Sequence, residues 1–272
     1  MSATAFDESS LASIPRVTKG LVATPTVVAG VILALIFWLR SNDLDSIERQ
    51  SINAPYILAK TAEHLQLTLY STLIVLVVAI PCGILLSRPG SRRITPVALA
   101  LANVGQAAPP IAVVILAAMV FGVGMRIAVF ALALYAILPV LRNTITGLHH
   151  VDEAIIDAGR GMGLSARQVL LRIELPLAVP VILAGLRTAL ILNVGTATMA
   201  AFVSAGGLGD LIVSGVALQR TTVLVTGSVL VALLAVLVDW LGGLLQRALT
   251  PNLPQLPGHL PHSRSSSRLQ GV

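Results

Sequence analysis

The stretch DAGRGMGLSARQVLLRIELP, residues 157–176, carries two acids, three arginines and three glycines in the middle of an otherwise apolar chain. The segments before and after it hold long runs without a charge. Charged side chains are costly to bury without partners, so this stretch is expected to lie outside the apolar layer that its neighbours occupy. The fold therefore consists of apolar segments in one layer and this polar stretch outside that layer.

Local signals predict a short helix at the start of this region. Residues 151–158, VDEAIIDA, can form a short helix with Asp152 near its N-terminus. The glycines that follow, Gly159, Gly161 and Gly163, are expected to interrupt the helix because glycine reaches backbone angles that other residues avoid.

A second helix is predicted directly after the glycines. Ser165 and Gln168 have the spacing of a capping box, and the apolar residues that follow continue the helical pattern until Pro176 disturbs or ends it. The predicted product is a helix, a sharp bend and a second helix. Two interpretations fit: an interfacial helix pair that connects two spans, or a docking surface for another protein.

The composition of the chain indicates an integral membrane protein. Hydrophobic residues make up 56% of the 272 residues, charged residues only 11%, and the mean hydropathy is +0.89. A soluble domain has roughly a quarter of its residues charged. The net charge of +6 is scattered, which favours topology signals over nucleic-acid binding. The single cysteine, Cys82, excludes an intramolecular disulfide and is predicted to be a small packed core residue.

Six apolar spans predict an all-α polytopic membrane protein with about six transmembrane helices. Each covers a hydrocarbon core of roughly 30 Å, at about 1.5 Å per residue, if some flanking residues are included. Pro109 and Pro110 predict a kink or break in the third span. The fourth span is the shortest and is expected to extend past Arg142. The spans cover residues 21–39, 65–86, 96–121, 127–141, 179–201 and 223–245.

Lysine and arginine residues predict the orientation, because they are enriched in cytoplasmic segments. Their distribution puts both termini and the polar insert between the fourth and fifth spans, residues 142–178, in the cytoplasm. Residues 1–20 are then a cytoplasmic tail. Residues 21–39 are predicted to be a retained anchor helix, because no small-residue cleavage site follows them. Residues 248–272, rich in Pro, Ser and Arg, are predicted to be a disordered cytoplasmic tail.

The polar insert contains a spaced set of acidic, small and apolar residues: Asp157, Ala158, Gly159, Gly163, Ile173, Leu175 and Pro176. This set resembles the EAA motif of ATP-binding-cassette importer permeases, which reads Glu-Ala-Ala, three residues, Gly, nine residues, Ile-x-Leu-Pro. The spacing matches throughout, with Asp in place of Glu and Gly in place of the second Ala. The resemblance implies a coupling helix that fits a groove on partner ATP-binding-cassette ATPase subunits, in the plasma membrane of a prokaryote.

Two further stretches resemble the branch of that family that imports quaternary-amine osmoprotectants. They are LYAILPVLRNTITGL, residues 134–148, and the Arg-Gly-Met-Gly form of the motif, residues 160–163. The resemblance covers about residues 60–247, the expected permease core. It implies a permease subunit of an ATP-driven importer for glycine betaine, carnitine or choline, working with a second permease subunit that is identical or related. Residues 205–212, AGGLGDLI, are similar to methionine permeases as well.

Substrate selectivity is expected to come from a separate extracytoplasmic substrate-binding protein. A quaternary ammonium ion is usually held by a cage of aromatic rings, and the five Phe, three Tyr and two Trp of this chain do not cluster in sequence. Three alternatives stay open: an importer permease of the same fold for methionine or another small solute, a secondary transporter or channel that works without ATP, and a membrane scaffold that does not transport.

No catalytic residue, cofactor or metal site is predicted in this chain. The glycines Gly159, Gly161 and Gly163 do not form a dinucleotide loop, because no strand precedes them and Leu164 stands where the last glycine would be. No GxxxxGK[ST] sequence occurs, so ATP hydrolysis is expected from a partner. The histidines lack the spacing of metal ligands.

Polar groups inside apolar spans are costly and therefore informative. Arg187 is expected to reach the membrane surface or to pair with an acid of the polar insert, and Asp239 to behave likewise from the sixth span. Hydrogen bonds between helices are the alternative role for the amides in the spans. The candidates for a polar pathway at the interface of two permease subunits are Asn103, Gln106, Pro109, Asn193 and Thr196.

Residues 204–210 are predicted to form an outer loop between the last two spans. Gly206, Gly207 and Gly209 permit a tight turn there, next to Asp210. The loop is expected either to contact the binding protein or to gate the pathway.

Overall fold

The computed structural model describes the backbone of residues 16–249 and the side chains of residues 22–249. The first helix begins at Arg16, earlier than the predicted start of the anchor helix at residue 21. The predicted tails before residue 16 and after residue 249 lie outside the described residues.

The described chain consists of helices joined by short turns. A 3₁₀ segment spans Pro89–Ser91 and another spans Ala197–Val203, and a π-helical turn covers Leu170–Glu174. The α-helices are α1 (Arg16–Ser41), α2 (Ser46–Ser51), α3 (Ala54–Leu86), α4 (Thr95–Ala107), α5 (Pro110–Phe121), α6 (Met125–His149), α7 (Glu153–Gly161), α8 (Ala166–Val169), α9 (Leu175–Thr196), α10 (Gly209–Ala217) and α11 (Thr221–Leu249).

The membrane-spanning architecture predicted from the sequence is confirmed. Five of the described helical segments are long and apolar enough to cross a membrane, or six if the bent pair α4–α5 counts as one span. That pair bends by 96° at the predicted break. Pro109 precedes α5 and Pro110 opens it, at a position where the missing N–H of proline has no helical partner to lose.

Helix α6 lies at the centre of the bundle and packs against α3 and α9. Glycines let these helices approach closely. A Cβ at Gly83 of α3 would stand 2.6 Å from the Thr144 Cβ, and one at Gly185 of α9 would stand 2.6 Å from the Asn143 Cβ. Small residues at helix contacts are the usual means of close packing between apolar helices. Apolar side chains from all three helices fill the core between them.

The remaining long helices surround this centre. Helix α11 packs against α9 and α10, α5 packs against α6, and α1 packs against α11. The segment from residue 150 to residue 174, here called the bent segment, extends from the end of α6 to the start of α9. The end of the bundle that carries it is called the insert end, and the other is the opposite end.

The predicted start of the second span is wrong, because hydropathy alone does not mark the full length of a helix. Helix α3 begins at Ala54 instead of Leu65, since Asn53 caps it and the polar residues Lys60, Glu63 and His64 interrupt its apolar run. Helix α6 does extend past Arg142 and ends at His149, so Arg142 lies inside a span and not in a loop.

The helix before Pro176 does not end there, contrary to one reading of the sequence. A continuous helical segment runs from Ala166 to Val203. The wide π-turn at Leu170–Glu174 accommodates the chain directly before Pro176, which stands in the first turn of α9. Cys82 is also not a packed core residue, because its side chain is exposed on α3.

Candidate functional site: the bent segment and the polar contacts of the spans

Helix α7 is the exposed part of the bent segment. Asp152 caps it, with its carboxylate accepting a hydrogen bond of 2.9 Å from the Ala154 N–H, as predicted. The helix and the residue that follows it present apolar side chains to the outside, since Ile155 is 45% exposed and the C-cap residue Met162 is 75% exposed. Exposed apolar residues on an otherwise polar helix are typical of a surface that another protein covers.

The motif residue Asp157 lies on this exposed helix beside Ala158, which is also exposed. One Asp157 carboxylate oxygen lies 3.3 Å from a guanidinium nitrogen of Arg160, one turn later. Both side chains are more than half exposed, so this ion pair adds little to stability and leaves the carboxylate accessible.

The bend that follows α7 depends on Gly163. Its φ is +84°, in the left-handed region that disfavours every residue with a Cβ. The Leu164 N–H then donates to the Gly159 carbonyl at 3.2 Å, which closes the helix end. The predicted capping box is confirmed, with Ser165 N–H donating to Gln168 Oε1 at 2.8 Å.

Two motif residues that are distant in sequence meet inside the bend. Gly159 is buried, and a Cβ added there would stand 2.5 Å from Ile173 Cδ1. Leu175 packs on the cluster of Leu148 and Ala178 at the foot of the spans. The motif thus has an exposed part, Asp157 with its neighbours, and a packed part that fixes α7 to α9.

An ion pair that the sequence analysis missed ties the bent segment to α3. Arg88, just after α3, donates to both carboxylate oxygens of Glu174, at 3.2 Å and 2.5 Å. Glu174 is buried, and Arg88 also donates to the Ile84 carbonyl. Bidentate pairs of this kind are among the stronger hydrogen bonds in proteins. The pair spans 86 positions in the chain, so no local pattern could reveal it.

The pathway candidates do not come together within one subunit. Asn193 of α9 is fully buried and donates to Thr72 Oγ1 of α3 at 3.0 Å, the helix–helix hydrogen bond considered as an alternative. Thr196 bonds its own helix at the Leu192 carbonyl. The candidates near the break in the third span lie apart from these, with Asn103 and Pro109 exposed and Gln106 half-buried. Their role in a pathway stays a prediction.

Arg142 is a polar residue of the spans that the sequence analysis had counted as a loop charge. It is exposed on α6, and its guanidinium donates to Asn103 Oδ1 of α4 at 3.0 Å. Its place inside a helix agrees with the expectation that the short fourth span extends past Arg142 to reach full length.

The predicted partner of Arg187 is wrong. Its guanidinium pairs with Asp239 of α11 and not with an acid of the polar insert, through one bond of 2.6 Å to Oδ2 and a second, from Nε to Oδ1. The glycines Gly242 and Gly243 of α11 lie against the Arg187 side chain and leave room for it. The two charged residues of the fifth and sixth spans therefore neutralise each other.

The predicted tight turn at residues 204–210 is present at the opposite end. Gly206 and Gly207 have φ of +80° and +90°. The Gly207 N–H donates to Glu63 Oε2 at 2.8 Å. Lys60 joins the same cluster, with its Nζ 2.8 Å from Glu63 Oε2 and 2.7 Å from Asp210 Oδ2.

This cluster connects the first turns of α3 to the loop before α10. Gly209 begins α10 and lies against the Thr198 backbone, which leaves no space for a side chain. Whether the loop contacts a binding protein or gates a pathway stays a prediction. Within residues 22–249, no group of three His, Cys, Asp or Glu side chains is arranged to hold a metal ion.

Comparison with known proteins is consistent with this arrangement. The sequence profile of the family described as "Binding-protein-dependent transport system inner membrane component" matches residues 79–251. The glycine betaine/carnitine/choline transport system permease protein OpuCD of Bacillus subtilis (strain 168) is 41% identical over 202 residues, which are 74% of this chain and 87% of that protein.

A second relative is the carnitine transport permease protein OpuCD of Listeria monocytogenes serotype 1/2a (strain 10403S). It is 36% identical over 206 residues, which are 75% of this chain and 92% of that protein. Among solved structures, a chain of the inward-facing MetNI methionine ABC transporter is similar with a TM-score of 0.64 and 26% identity. The match covers 73% of this chain and all of that chain.

Proposed function

Because the chain belongs to the family of inner membrane components of binding-protein-dependent transport systems, we propose that it is the permease subunit of an ATP-driven importer of osmoprotectants such as glycine betaine, carnitine or choline. Identity of 41% to a permease named for these three solutes is the observation that carries the substrate class. Permeases of this family are membrane components and not themselves catalytic, so ATP hydrolysis belongs to separate subunits of the assembly.

The bent segment is the docking site for those ATPase subunits. Helix α7 offers Asp157 and the exposed apolar side chains Ile155 and Met162, while the Gly163 turn and the Glu174 pair fix its position on the spans. Closure of the ATPase pair would carry the bent segments with it and open the pathway outward, and release would return it inward. The proposed orientation puts the insert end and both termini in the cytoplasm.

Two permease subunits, identical or related, form the pathway where they meet in the plasma membrane of a prokaryotic cell. In this assignment residues 60–247 are the permease core and α1 is an additional anchor helix in the lipid. A separate extracytoplasmic binding protein delivers the substrate to the opposite end, near the loop of residues 204–210. The chain itself uses no cofactor and no metal.

A methionine importer is the second candidate, because the solved structure with a TM-score of 0.64 is a methionine transporter. The identity to that chain is 26%, against 41% to the osmoprotectant permease. Residues that line a solute pathway diverge with the solute, so the higher identity favours the quaternary amines.

Uptake of labelled solutes tests the proposal. Cells that lack the gene are complemented with the wild-type chain and its partner subunits at high osmolarity, and uptake of glycine betaine, carnitine, choline and methionine is measured. We expect restored uptake of at least one quaternary amine and no restored uptake of methionine. Methionine uptake alone would replace the substrate class, and no uptake of any of the four would refute the transport function proposed here.

The coupling role is tested in the same cells with two variants of the bent segment. Asp157→Arg reverses the charge on the exposed face of α7, and Gly163→Pro forbids the φ of +84° that the bend requires. Both proteins should reach the membrane at wild-type levels and fail to support uptake. Normal uptake by both variants would contradict docking of the ATPase at the bent segment.

A further inference from the structure

Arg142 lies within a membrane span and has no carboxylate partner among the described residues. Helix α6 continues two turns beyond it to His149. A guanidinium carries five N–H donors, and Arg142 uses one of its nitrogens for the bond to Asn103 Oδ1 at 3.0 Å. Charged residues inside spans rarely face lipid and generally face a water-filled path or another protein. The remaining donors of Arg142 are thus available to a partner outside this subunit.

The position of Arg142 on α6 defines which side that partner approaches. Successive residues of an α-helix are rotated by about 100°, so Arg142 and Thr144 point to nearly opposite sides. Thr144 packs against Gly83 of α3. Arg142 therefore lies on the side of α6 that faces away from α3, next to Asn103 of α4.

An aromatic ring shares this side of the helix. Tyr135 lies two turns before Arg142, about 10 Å along the axis, and both project from the same side. Tyr135 is partly exposed, and its hydroxyl makes no hydrogen bond within residues 22–249. Thr146, half-buried one turn after Arg142, extends the same polar side towards the insert end.

The two side chains suit the two ends of a zwitterion. An aromatic ring attracts a quaternary ammonium group through its negative face. A guanidinium binds a carboxylate through two parallel hydrogen bonds, which neither a hydroxyl nor a methyl group can replace. Glycine betaine and carnitine carry both groups, whereas choline carries the ammonium group and a hydroxyl.

Building on the proposed function, we infer that Arg142 binds the substrate carboxylate in the pathway, with Tyr135 contacting the quaternary ammonium group, so that this permease favours carboxylate-bearing amines over choline. Asn103 holds the guanidinium in place from α4. The selectivity of the pathway then adds to that of the binding protein, and it resides in a residue of this chain.

The test compares uptake of labelled glycine betaine, carnitine and choline by Arg142→Gln, Arg142→Lys and the wild-type chain. Because the binding protein is the same in every strain, a change in the ratio of betaine to choline uptake reports the permease alone. Arg142→Gln is expected to lower betaine and carnitine uptake about tenfold or more and choline uptake less than about threefold. Arg126→Gln, on the same helix at the opposite end, is the matched control and should change none of the three.

Arg142→Lys keeps the cation but cannot form the two parallel hydrogen bonds, so it is expected to retain more betaine uptake than Arg142→Gln and less than the wild-type chain. This order of the three chains decides the case if the wild-type chain does not carry choline. Tyr135→Phe should keep uptake and Tyr135→Ala should lower uptake of all three amines, since only the ring is needed.

Three results for the Arg142→Gln variant would overturn the inference about Arg142 while leaving the osmoprotectant permease intact. They are an equal loss of all three amines in Arg142→Gln, no loss, or loss of the assembled complex with its partner subunits, which would assign Arg142 to a subunit contact. A wild-type chain that imports choline alone also overturns it. A wild-type chain that imports none of the three removes the proposed function itself, and that outcome is visible before any variant is compared.

Discussion

Gly161 and Gly163 stand two positions apart in the same bend, yet the backbone constrains only one of them. Gly161 ends α7 with ordinary helical angles, whereas Gly163 has a φ of +84°. Neither would bring an added Cβ within 4 Å of another group. A side chain added at either glycine would meet no steric clash, so a difference between the two substitutions reports backbone conformation alone.

Gly163→Ala is expected to destabilise the bend by about 1–2 kcal/mol, because an L-residue is strained in the left-handed region. Uptake should fall several-fold while the amount of protein in the membrane is unchanged. Gly161→Ala is the control and should keep uptake, since alanine favours the helix that Gly161 ends. Similar uptake by the two variants would show that the backbone at Gly163 does not matter for coupling.

The pair of Arg187 and Asp239 is a second test at the scale of residues. Asp239→Asn leaves the guanidinium without its counter-charge between two spans, and thermal unfolding in detergent should show a loss of about 1–2 kcal/mol. The asparagine amide oxygen can still accept one hydrogen bond from the guanidinium, which keeps the expected loss moderate. The exchanged pair, Arg187→Asp with Asp239→Arg, should recover part of the loss, and no recovery would mean that packing and not charge holds the two helices.

Residue roles could be predicted where their cause is local. The caps at Asp152 and Ser165 depend on neighbours within three positions, so the sequence contains all that is needed. Arg187 and Asp239 are 52 positions apart. The sequence shows that each is a charged residue in an apolar span, but it does not show that the two form an ion pair.

Among the elements, the end of α3 and the bent segment are connected by a partly buried ion pair. Arg88 follows the last turn of α3, and Glu174 is the last residue before α9. A neighbouring contact, from His149 at the end of α6 to the Ser87 carbonyl at 3.1 Å, supports the same junction. The bent segment is therefore fixed to the end of the second span, which is itself joined to the end of the fourth.

Glu174→Gln is expected to loosen this junction, because the amide leaves the arginine charge without its counter-ion. We expect about 1–2 kcal/mol of lost stability and faster amide hydrogen exchange in α7 and α8. Arg160→Gln breaks the exposed pair with Asp157 and is the control, with a change within about 0.5 kcal/mol. Unchanged exchange in Glu174→Gln would refute a structural role for the pair.

The helices themselves were predictable as far as apolarity marks them. Hydropathy located every span and the break at Pro109, because lipid contact demands long apolar runs. It misplaced the start of α3 because Lys60 and Glu63 satisfy each other and Asp210 within a helix. The sequence left open whether Pro176 disturbs or ends its helix, and the π-turn directly before it shows the disturbance.

On the scale of the whole molecule, α1 is the least buried of the five unbroken membrane spans in the described part of the chain. It packs against α11, while α3, α6 and α9 form the centre. The matches to the relatives cover about three quarters of this chain and about nine tenths of theirs, so part of this chain has no counterpart in them.

Removal of residues 1–41 is therefore expected to leave a folded permease with at least half of its uptake. A longer truncation, removing residues 1–53, is the comparison. It also deletes Asp45, whose carboxylate lies 2.9 Å from Arg220, and Asn53, which caps α3. The longer truncation should be markedly less stable in detergent. Equal damage by both truncations would make α1 part of the permease core.

The continuous helical segment from Ala166 to Val203 has a mechanical consequence. Its 38 residues extend roughly 57 Å at about 1.5 Å per residue. One end lies in the bent segment, and the other leads directly into the loop whose Gly207 N–H contacts Glu63. Such a rod acts as a lever: a tilt of about 5° imposed at one end displaces the other by about 5 Å. A push received on one face of the membrane would arrive at the other face through a single stiff piece of backbone, with no relay of side chains in between.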